Sequence, residues 1–592
     1  MSSHPRVSRP VALRKVLRGA RALIGASTLV LGASAQVTTR VSVDSRGIEG
    51  NQSSSAYASG GSWGPALTID GRWIAFESSA TNLVGADVNA LRDVFVHDRW
   101  NGVTERVSVS TAGVEGDGAS SVPALSGDAR FVAFESVAAN LVAGDGNSRR
   151  DIFVRDRLLA VTERVSVSSL GAHANNDCFL PSLSSDGRFV VFTSVASNLV
   201  AGDVGGFRDV FLRDRQLGTT TMVSVSAAGA QGNGNSFDGR LSQGGGHVVF
   251  TSVASNLAPV DGNGTRDVLL RDLVLGTTEL VSVSSGALQA DFESDHGAIS
   301  AYGRFVAFQS GATNLVAGDT NGARDVFVRD RVLATTTRVS VSSTGGQTNF
   351  WSYFPSISAD GDRIVFDGNA SNLVTGDTNV ARDVFLHERS TATTTRISVA
   401  SDGQQGTKAA ALPSISADGT FVVFETASPA LVPGDSNTIA DVFVRSLGSS
   451  CAALAVYCTA KVNSSGCTPS IGTSGAPLLS GPDAFRVTAT NVLDGKVGIL
   501  LWGQASAATP FLGGTLCIAP PIKRFGSQLA AGAGLALPCG GTYSFAFDQA
   551  YAASQGLQAG QMLFAQIWSR DNGFSAPDNA GLTDALQLTI CP

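Results

Sequence analysis

Methionine and lysine are scarce in this chain of 592 residues, with methionine occurring 3 times. Charged residues amount to 15% against 43% apolar ones. That balance excludes both a disordered chain and a highly charged one. Beyond the N-terminal segment no run is long and apolar enough to be a transmembrane helix. Histidine occurs 6 times, never after His387, and the late cysteines hold no C-x2-C pair. A zinc site built from those cysteines is thereby excluded. Only Cys178 precedes residue 450, where neighbouring repeats carry Ser120 and Ser236. It reads as a small buried residue rather than a reactive thiol.

Residues 1–35 read as an export signal. Arg6, Arg9, Arg14, Lys15, Arg18 and Arg21 form a basic start, an apolar stretch runs from Ala22 to Leu31, and Ala33-Ser34-Ala35 fits the cleavage pattern. The mature chain is therefore expected outside the cytoplasm: extracellular, at the cell surface or periplasmic. The chain has 42 basic and 49 acidic residues, of which the signal takes six basic ones and the stretch from Cys451 six of each. The middle keeps 30 basic and 43 acidic residues, a net charge of −13 that argues against binding a phosphate backbone.

What is abundant is repetition. The aspartate of an R-D-V-F-V string recurs at Asp93, Asp151, Asp209, Asp267, Asp325, Asp383 and Asp441, always 58 residues apart. Phe76, Phe134, Phe192, Phe250, Phe308, Phe366 and Phe424 keep the same step. Each unit shows four strand patterns. In the sixth they are "FPSIS" (354–358), "RIVFD" (363–367), "RDVFLHE" (382–388) and "TTTRISVAS" (393–401), with an Asp-Gly turn between the first two. Seven units of four strands predict an all-β, seven-bladed β-propeller over residues 36–446. The V/I-S-V strand follows the first six units, is missing after the seventh, and stands at the front as Thr39-Arg40-Val41-Ser42-Val43. The N-terminal strand is therefore expected to complete the last blade and close the ring. Eight extra residues fall in or near "NQSSSAYASGGSWG" of the first unit.

"PSLSSDGRFVVFTS" (181–194) followed by "RDVFLRD" (208–214) resembles the TolB-like, WD-repeat-like propeller repeat. The resemblance covers roughly residues 38–446. Two units depart from it: Gly239 and Gly297 replace proline, and Gly244-Gly245 and Tyr302-Gly303 replace Asp-Gly. The family includes periplasmic partner-binding proteins and propellers fused to peptidases, so the resemblance implies a binding platform of unspecified ligand.

In such a blade the loop between strands two and three and the crossover to the next blade share one face. The first loop carries Asp87, Asp145, Asp203, Asp261, Asp319, Asp377 and Asp435, followed two residues on by Asn89, Asn147, Gly205, Asn263, Asn321, Asn379 and Asn437. The crossover carries Glu49, Glu115, His173, Gln231, Gln289, Gln347 and Gln405, then Asn51, Asp117, Asn175, Asn233, Asp291, Asn349 and Thr407. These residues define an acidic and carboxamide-rich face as the expected binding surface. The D-x-N-x-x-x-D spacing, as in Asp319, Asn321 and Asp325, also opens like a calcium loop. It offers few side-chain oxygens, so Asx-turns that cap their own backbone are preferred over calcium.

Catalytic signals are sparse. Gly60-Gly61-Ser62-Trp63-Gly64 matches G-x-S-x-G, but in an all-β insertion rather than a strand–turn–helix elbow. His97 and His387 occupy positions held elsewhere by arginine, and only His173 and His296 are expected toward the polar side. A glycosidase or lyase working with carboxylates alone stays open.

From Cys451 the period stops. Cys451, Cys458, Cys467, Cys517, Cys539 and Cys591 read as disulfide staples of undetermined pairing in an exported domain. Strand patterns at 485–492, 496–503, 514–519, 542–548, 561–569 and 585–592 predict a β-sandwich over residues 451–592, joined by the linker 447–450. Its Trp502, Phe511, Trp568 and Phe574 are assigned to a core rather than to a sugar platform. The expected function is an exported, monomeric binding or scaffold protein for a protein or polysaccharide. A polysaccharide hydrolase or lyase and a calcium-stabilised adhesive protein are the alternatives.

Overall fold

The second and third strands of each unit are almost wholly buried and apolar at their centres, as in Phe189–Ser194 and Asp209–Asp214. Such strands need cover on both faces, so they form only where other sheets flank them. The structure, a computed structural model, describes residues 36–54, 64–85, 87–204, 206–447, 455–457, 460–474, 485–512, 514–530, 541–547, 549–557, 561–571, 573, 575 and 580–590. The signal segment, Gly60–Trp63 and most of the linker lie outside these residues.

Six four-stranded antiparallel sheets follow in chain order, spanning residues 66–106, 120–164, 178–222, 236–280, 294–338 and 352–396. A seventh joins Ala410–Ile415, Phe421–Thr426 and Asp441–Ser446 to Thr38–Arg40 from the N-terminal end. Repeated four-stranded sheets are the build of a β-propeller. In the seventh sheet Thr39 pairs with Val444 and Arg40 with Phe443. Each core cluster mixes two consecutive sheets: Val132 and Phe134 of the second pack with Ala75, Val94 and Val96 of the first. Val41, Ile74 and Phe76 pack likewise with Val423, Val442 and Val444 of the seventh.

The turn before each second strand needs a left-handed residue, glycine in six sheets and Ala129 at φ +56° in the second. Gly187 has φ +71°, and a Cβ there would meet Phe131 at 2.1 Å. Gly245 and Gly303 keep positive φ where the aspartate is lost, so both departing units keep the turn. Ser184 Oγ donates to Asp186 Oδ1 at 2.6 Å and accepts from the Phe189 N–H at 2.9 Å, closing the turn.

Two strand readings are corrected. The sixth unit's fourth strand ends at Arg396. The chain then bends back so that Val399 bridges Gln405, because Ser398 Oγ is drawn to Asp383 Oδ1 at 2.5 Å. Its first strand runs Ser352–Ile357 and is bulged, with Phe354 at φ +48°. Val122, Leu180, Asp238, His296 and Leu412 repeat that left-handed bulge. Its N–H is held by the preceding sheet: Val122 N–H donates to Glu77 at 3.0 Å, Leu180 to Glu135 at 3.0 Å, and Leu412 to Asp367 at 2.7 Å. The first strands of all seven sheets line a cavity of about 220 Å³, in which Arg240 is the one charged residue.

Beyond residue 454, a five-stranded sheet holds Val497–Gly503, Met562–Arg570 and Ala580–Thr589 at its centre, and a three-stranded sheet holds Arg486–Val492 and Gly541–Ala546. Leu500, Trp502 and Ile567 of the first share one core with Val487, Tyr543 and Phe545 of the second. Trp502 Nε1 donates to Tyr551 Oη at 2.9 Å. Sequence reading missed Ser470–Ser474, Lys523–Leu529 and the short helix Gln549–Ser554. Lys523–Leu529 is an edge strand with mostly exposed side chains, so no apolar alternation marks it. Cys467 and Cys517 are disulfide-bonded, and Cys451, Cys458, Cys539 and Cys591 lie outside the described residues. Cys178 is free and buried, and burial pushes its thiol pKa up.

Candidate functional site

The repeated loop acids sit beneath the face rather than on it. In the fifth sheet Arg338 Nη1 lies 3.0 Å from Asp319 Oδ1 and 3.2 Å from Asp325 Oδ2. Both carboxylates are buried, with 3% and 0% of their side-chain surface exposed. Asn321 aims its amide nitrogen at Asp325 Oδ2, 2.9 Å away, and its oxygen accepts from the Ala323 N–H at 3.0 Å. The serine of V-S-V, Ser340, donates to the other Asp325 oxygen. The D-x-N-x-x-x-D string is therefore an Asx-turn locked onto a guanidinium. Its donors do not converge as calcium requires.

Four other sheets repeat the clamp. Arg106 holds Asp87 at 3.3 Å, Asp93 at 3.3 Å and Glu115 at 2.7 Å. Arg164 holds Asp145 at 2.7 Å and Asp151 at 3.3 Å and also contacts His173. Arg396 holds Asp377 at 3.1 Å and Asp383 at 3.5 Å. Arg40 crosses from the N-terminal strand to Glu49 at 2.6 Å and to Asp435 and Asp441, each at 3.4 Å. Glu49, Asp435 and Asp441 form the one group of three metal-capable side chains among the described residues, and Arg40 stands among them.

The third and fourth sheets have Met222 and Leu280 in place of that arginine. There a neutral amide takes over. Gln231 Nε2 donates to Asp203 Oδ1 at 2.9 Å and Asp209 Oδ2 at 2.8 Å. Gln289 Nε2 donates to Asp261 and Asp267, each at 2.9 Å. Burial pushes the Asp267 pKa up to about 6, against the hydrogen bonds from Ser282 and Gln289. Asp203, Asp209 and Asp261 are also raised by burial. Where arginine and glutamine coexist, Gln347 and Gln405 donate instead to Thr320 and Thr378.

The second crossover set staples loops. Asn51 accepts from the Thr81 N–H at 2.9 Å, Asp117 from Ala139 at 2.7 Å, and Asn175 from Ser197 at 3.0 Å. Asn233, Asp291 and Asn349 do the same with Ser255, Thr313 and Ser371. Asn89, Asn147, Asn263, Asn379 and Asn437 accept a backbone N–H within their own turns, as Asn321 does. His97 and His387 bond Thr104 at 2.8 Å and Thr394 at 2.9 Å, copying Arg155 on Thr162. Burial drives the His97 pKa down to about 4.

The groups that break the repeat lie elsewhere. Phe292, Phe350 and Trp351, in the crossovers entering the fifth and sixth sheets, are 54%, 53% and 51% exposed. Trp351, Tyr353 and Phe354 form a ladder that ends edge-on at His296, 4.8 Å from Phe354. His296 Nδ1 lies 3.2 Å from Asp295 Oδ1, and its Nε2 lies 3.6 Å from Asp238 Oδ2. Burial disfavours the imidazolium, yet Asp238 and Asp295 outweigh it and raise the His296 pKa. Burial works against the Asp295 carboxylate as well, and His296, Arg324 and Gln309 bring its pKa down to about 2. Sequence reading singled out His296 but missed Asp238 and Asp295, whose departure from the other repeats was the available signal.

No known protein-family profile matches the chain, and no curated protein matches it. Its neighbours among solved structures are TolB-like and propeller proteins. A protein described as TolB from Agrobacterium tumefaciens is 15% identical, covering 58% of this chain and 94% of that one, with a TM-score of 0.32. An oligogalacturonate lyase in complex with manganese is 14% identical, covering 71% and 95%, with a TM-score of 0.41. The β-propeller domain of the Trilobed protease from Pyrococcus furiosus is 10% identical, covering 61% and 89%, with a TM-score of 0.39.

Proposed function

We propose that residues 36–446 form a closed seven-bladed propeller whose loop face recruits a protein or glycan. The chain is then a monomeric, exported binding or scaffold protein with 1–35 as its signal. Residues 451–592 are a disulfide-stapled sandwich after the linker 447–450. The cavity lined by all seven first strands supports the ring. The binding role rests on one observation: the repeated acids are engaged in internal clamps, while unrepeated aromatics stand exposed on the same face. The test is a glycan array and a surface-binding assay with the mature chain and its Phe350→Ala/Trp351→Ala variant. Loss of a specific signal in the variant is expected. Unchanged binding in the variant refutes the reading.

A hydrolase or lyase reading is favoured by Asp238, Asp295 and His296, one histidine between two carboxylates. Turnover on a polysaccharide panel, abolished by Asp295→Asn, would establish it. A calcium-stabilised adhesive reading finds its room in the third and fourth sheets, where no guanidinium separates the acids. Identical melting in calcium and in chelator would dismiss it. Among the described residues no helix is long and apolar enough to cross a membrane.

A further inference from the structure

The arginine before the third strand of the first six sheets forms a second series: Arg92, Arg150, Arg208, Arg266, Arg324 and Arg382. It emerges at the loop face, because the third strand starts opposite the end of the second. Most of its members meet an acid of the chain. Arg92 lies 3.5 Å from Glu77, Arg150 3.3 Å from Glu135, and Arg382 pairs with Asp367 at 2.5 Å. Those acids occupy the fifth position of their second strands. In the third and fourth sheets that position holds Thr193 and Thr251. Both threonines are buried, and neither hydroxyl has a hydrogen-bond partner.

Arg266 reaches Asp295 across the next sheet boundary at 3.4 Å, and Arg324 reaches it within its own sheet at 3.3 Å. Arg208 makes no ion pair among the described residues. Its side chain is exposed, its N–H is capped by the neutral Asn235 at 2.8 Å where Arg150 has Asp177, and its guanidinium stands 5.7 Å over Phe179. Arg150 stacks on the same ring at 5.2 Å. One sector of the face thus has a guanidinium for which the described residues supply no carboxylate, and the exposed Phe292 stands on the same face in the crossover entering the fifth sheet.

We propose that Arg208, with Arg266 beside it, binds the carboxylate of an acidic saccharide whose ring stacks on the exposed aromatic side chains of this face. This rests on the loop-face reading above. Guanidinium pairs carboxylate in a planar, two-point contact, and flat rings suit the C–H faces of a pyranose. An acidic peptide offers the carboxylate without the pyranose face.

The test is calorimetric titration of the mature chain with an alginate-derived uronate hexamer and with its carboxyl-reduced, neutral form. The charged hexamer should bind at least about 10-fold more tightly. Arg208→Gln should bring the charged hexamer to the neutral level. Thr193→Glu should do the same by giving Arg208 an internal carboxylate, as Glu135 does for Arg150, with melting checked for both variants. Equal binding of the two hexamers, no binding of either, unchanged binding by Arg208→Gln, or preference for a poly-glutamate peptide would each overturn the proposal. If Trp351→Ala weakens both hexamers while Arg208→Gln weakens neither, the face still binds and only the carboxylate assignment fails.

Discussion

Five sheets hold their two buried loop aspartates with an arginine, and two hold them with a glutamine. The residue at the glutamine position follows suit. Beside arginine it is Glu49, Glu115, His173, Gln347 or Gln405; beside Met222 and Leu280 it is always glutamine. Geometry explains the coupling. Without the guanidinium the amide must turn inward to bridge both carboxylates, and a glutamate there would add a third charge with no donor. A buried acid pair thus tolerates either a charged or a neutral partner, provided its lone pairs are met.

This contrast can be broken in steps. The largest effect should come from deleting residues 36–44, which removes Arg40, Ser42 and the closing strand together. No cooperative unfolding transition should remain in denaturant. Next comes Arg106→Met, which leaves Asp87, Asp93 and Glu115 facing one another and should cost about 3–5 kcal/mol. Adding Glu115→Gln recreates the glutamine arrangement and should recover about 2 kcal/mol by denaturant titration.

A pH dependence should come from buried loop acids in both kinds of sheet, Asp267 of the fourth and Asp441 of the seventh. Asp267 holds its proton more tightly folded, near 6, than unfolded, near 3.8. The stability it contributes is therefore full below pH 3.8 and lost as the pH rises through 6, roughly 3 kcal/mol in all. Asp267→Asn should flatten that part of the stability profile. Arg338→Met should cost only about 1 kcal/mol, because Gln347 can swing from Thr320 to the acids. Smallest of all should be Met222→Arg, within about 1 kcal/mol of the parent, since the amide already satisfies Asp203 and Asp209.

The strands and their period were legible because the 58-residue step marks apolar strands that must be buried on both faces. The clamps were not. Asp319 and Arg338 are separated by a whole third strand, so no local spacing reveals their contact. The acids therefore looked like a surface ring, although folding draws them inward. The left-handed bulge was also hidden. Valine, leucine and phenylalanine disfavour positive φ, and only an acceptor in the preceding sheet stabilises it there. Arg208 was legible only as one more copy of R-D. Its lack of an acid partner became apparent once the second strands were aligned.

The strand pairing between Thr38–Arg40 and Asp441–Ser446 also bears on folding speed. Six sheets can form from contacts within a single unit. The last must bring together segments about 400 residues apart, as the Ser42–Asp441 bond records. Closing so long a loop adds little to the thermodynamic cost, because loop entropy grows only logarithmically with length. It does add one contact of extreme sequence separation at the very end of assembly. Six sheets should therefore gain hydrogen-exchange protection early, and the strand at Asp441 should gain it in a separate, slower phase.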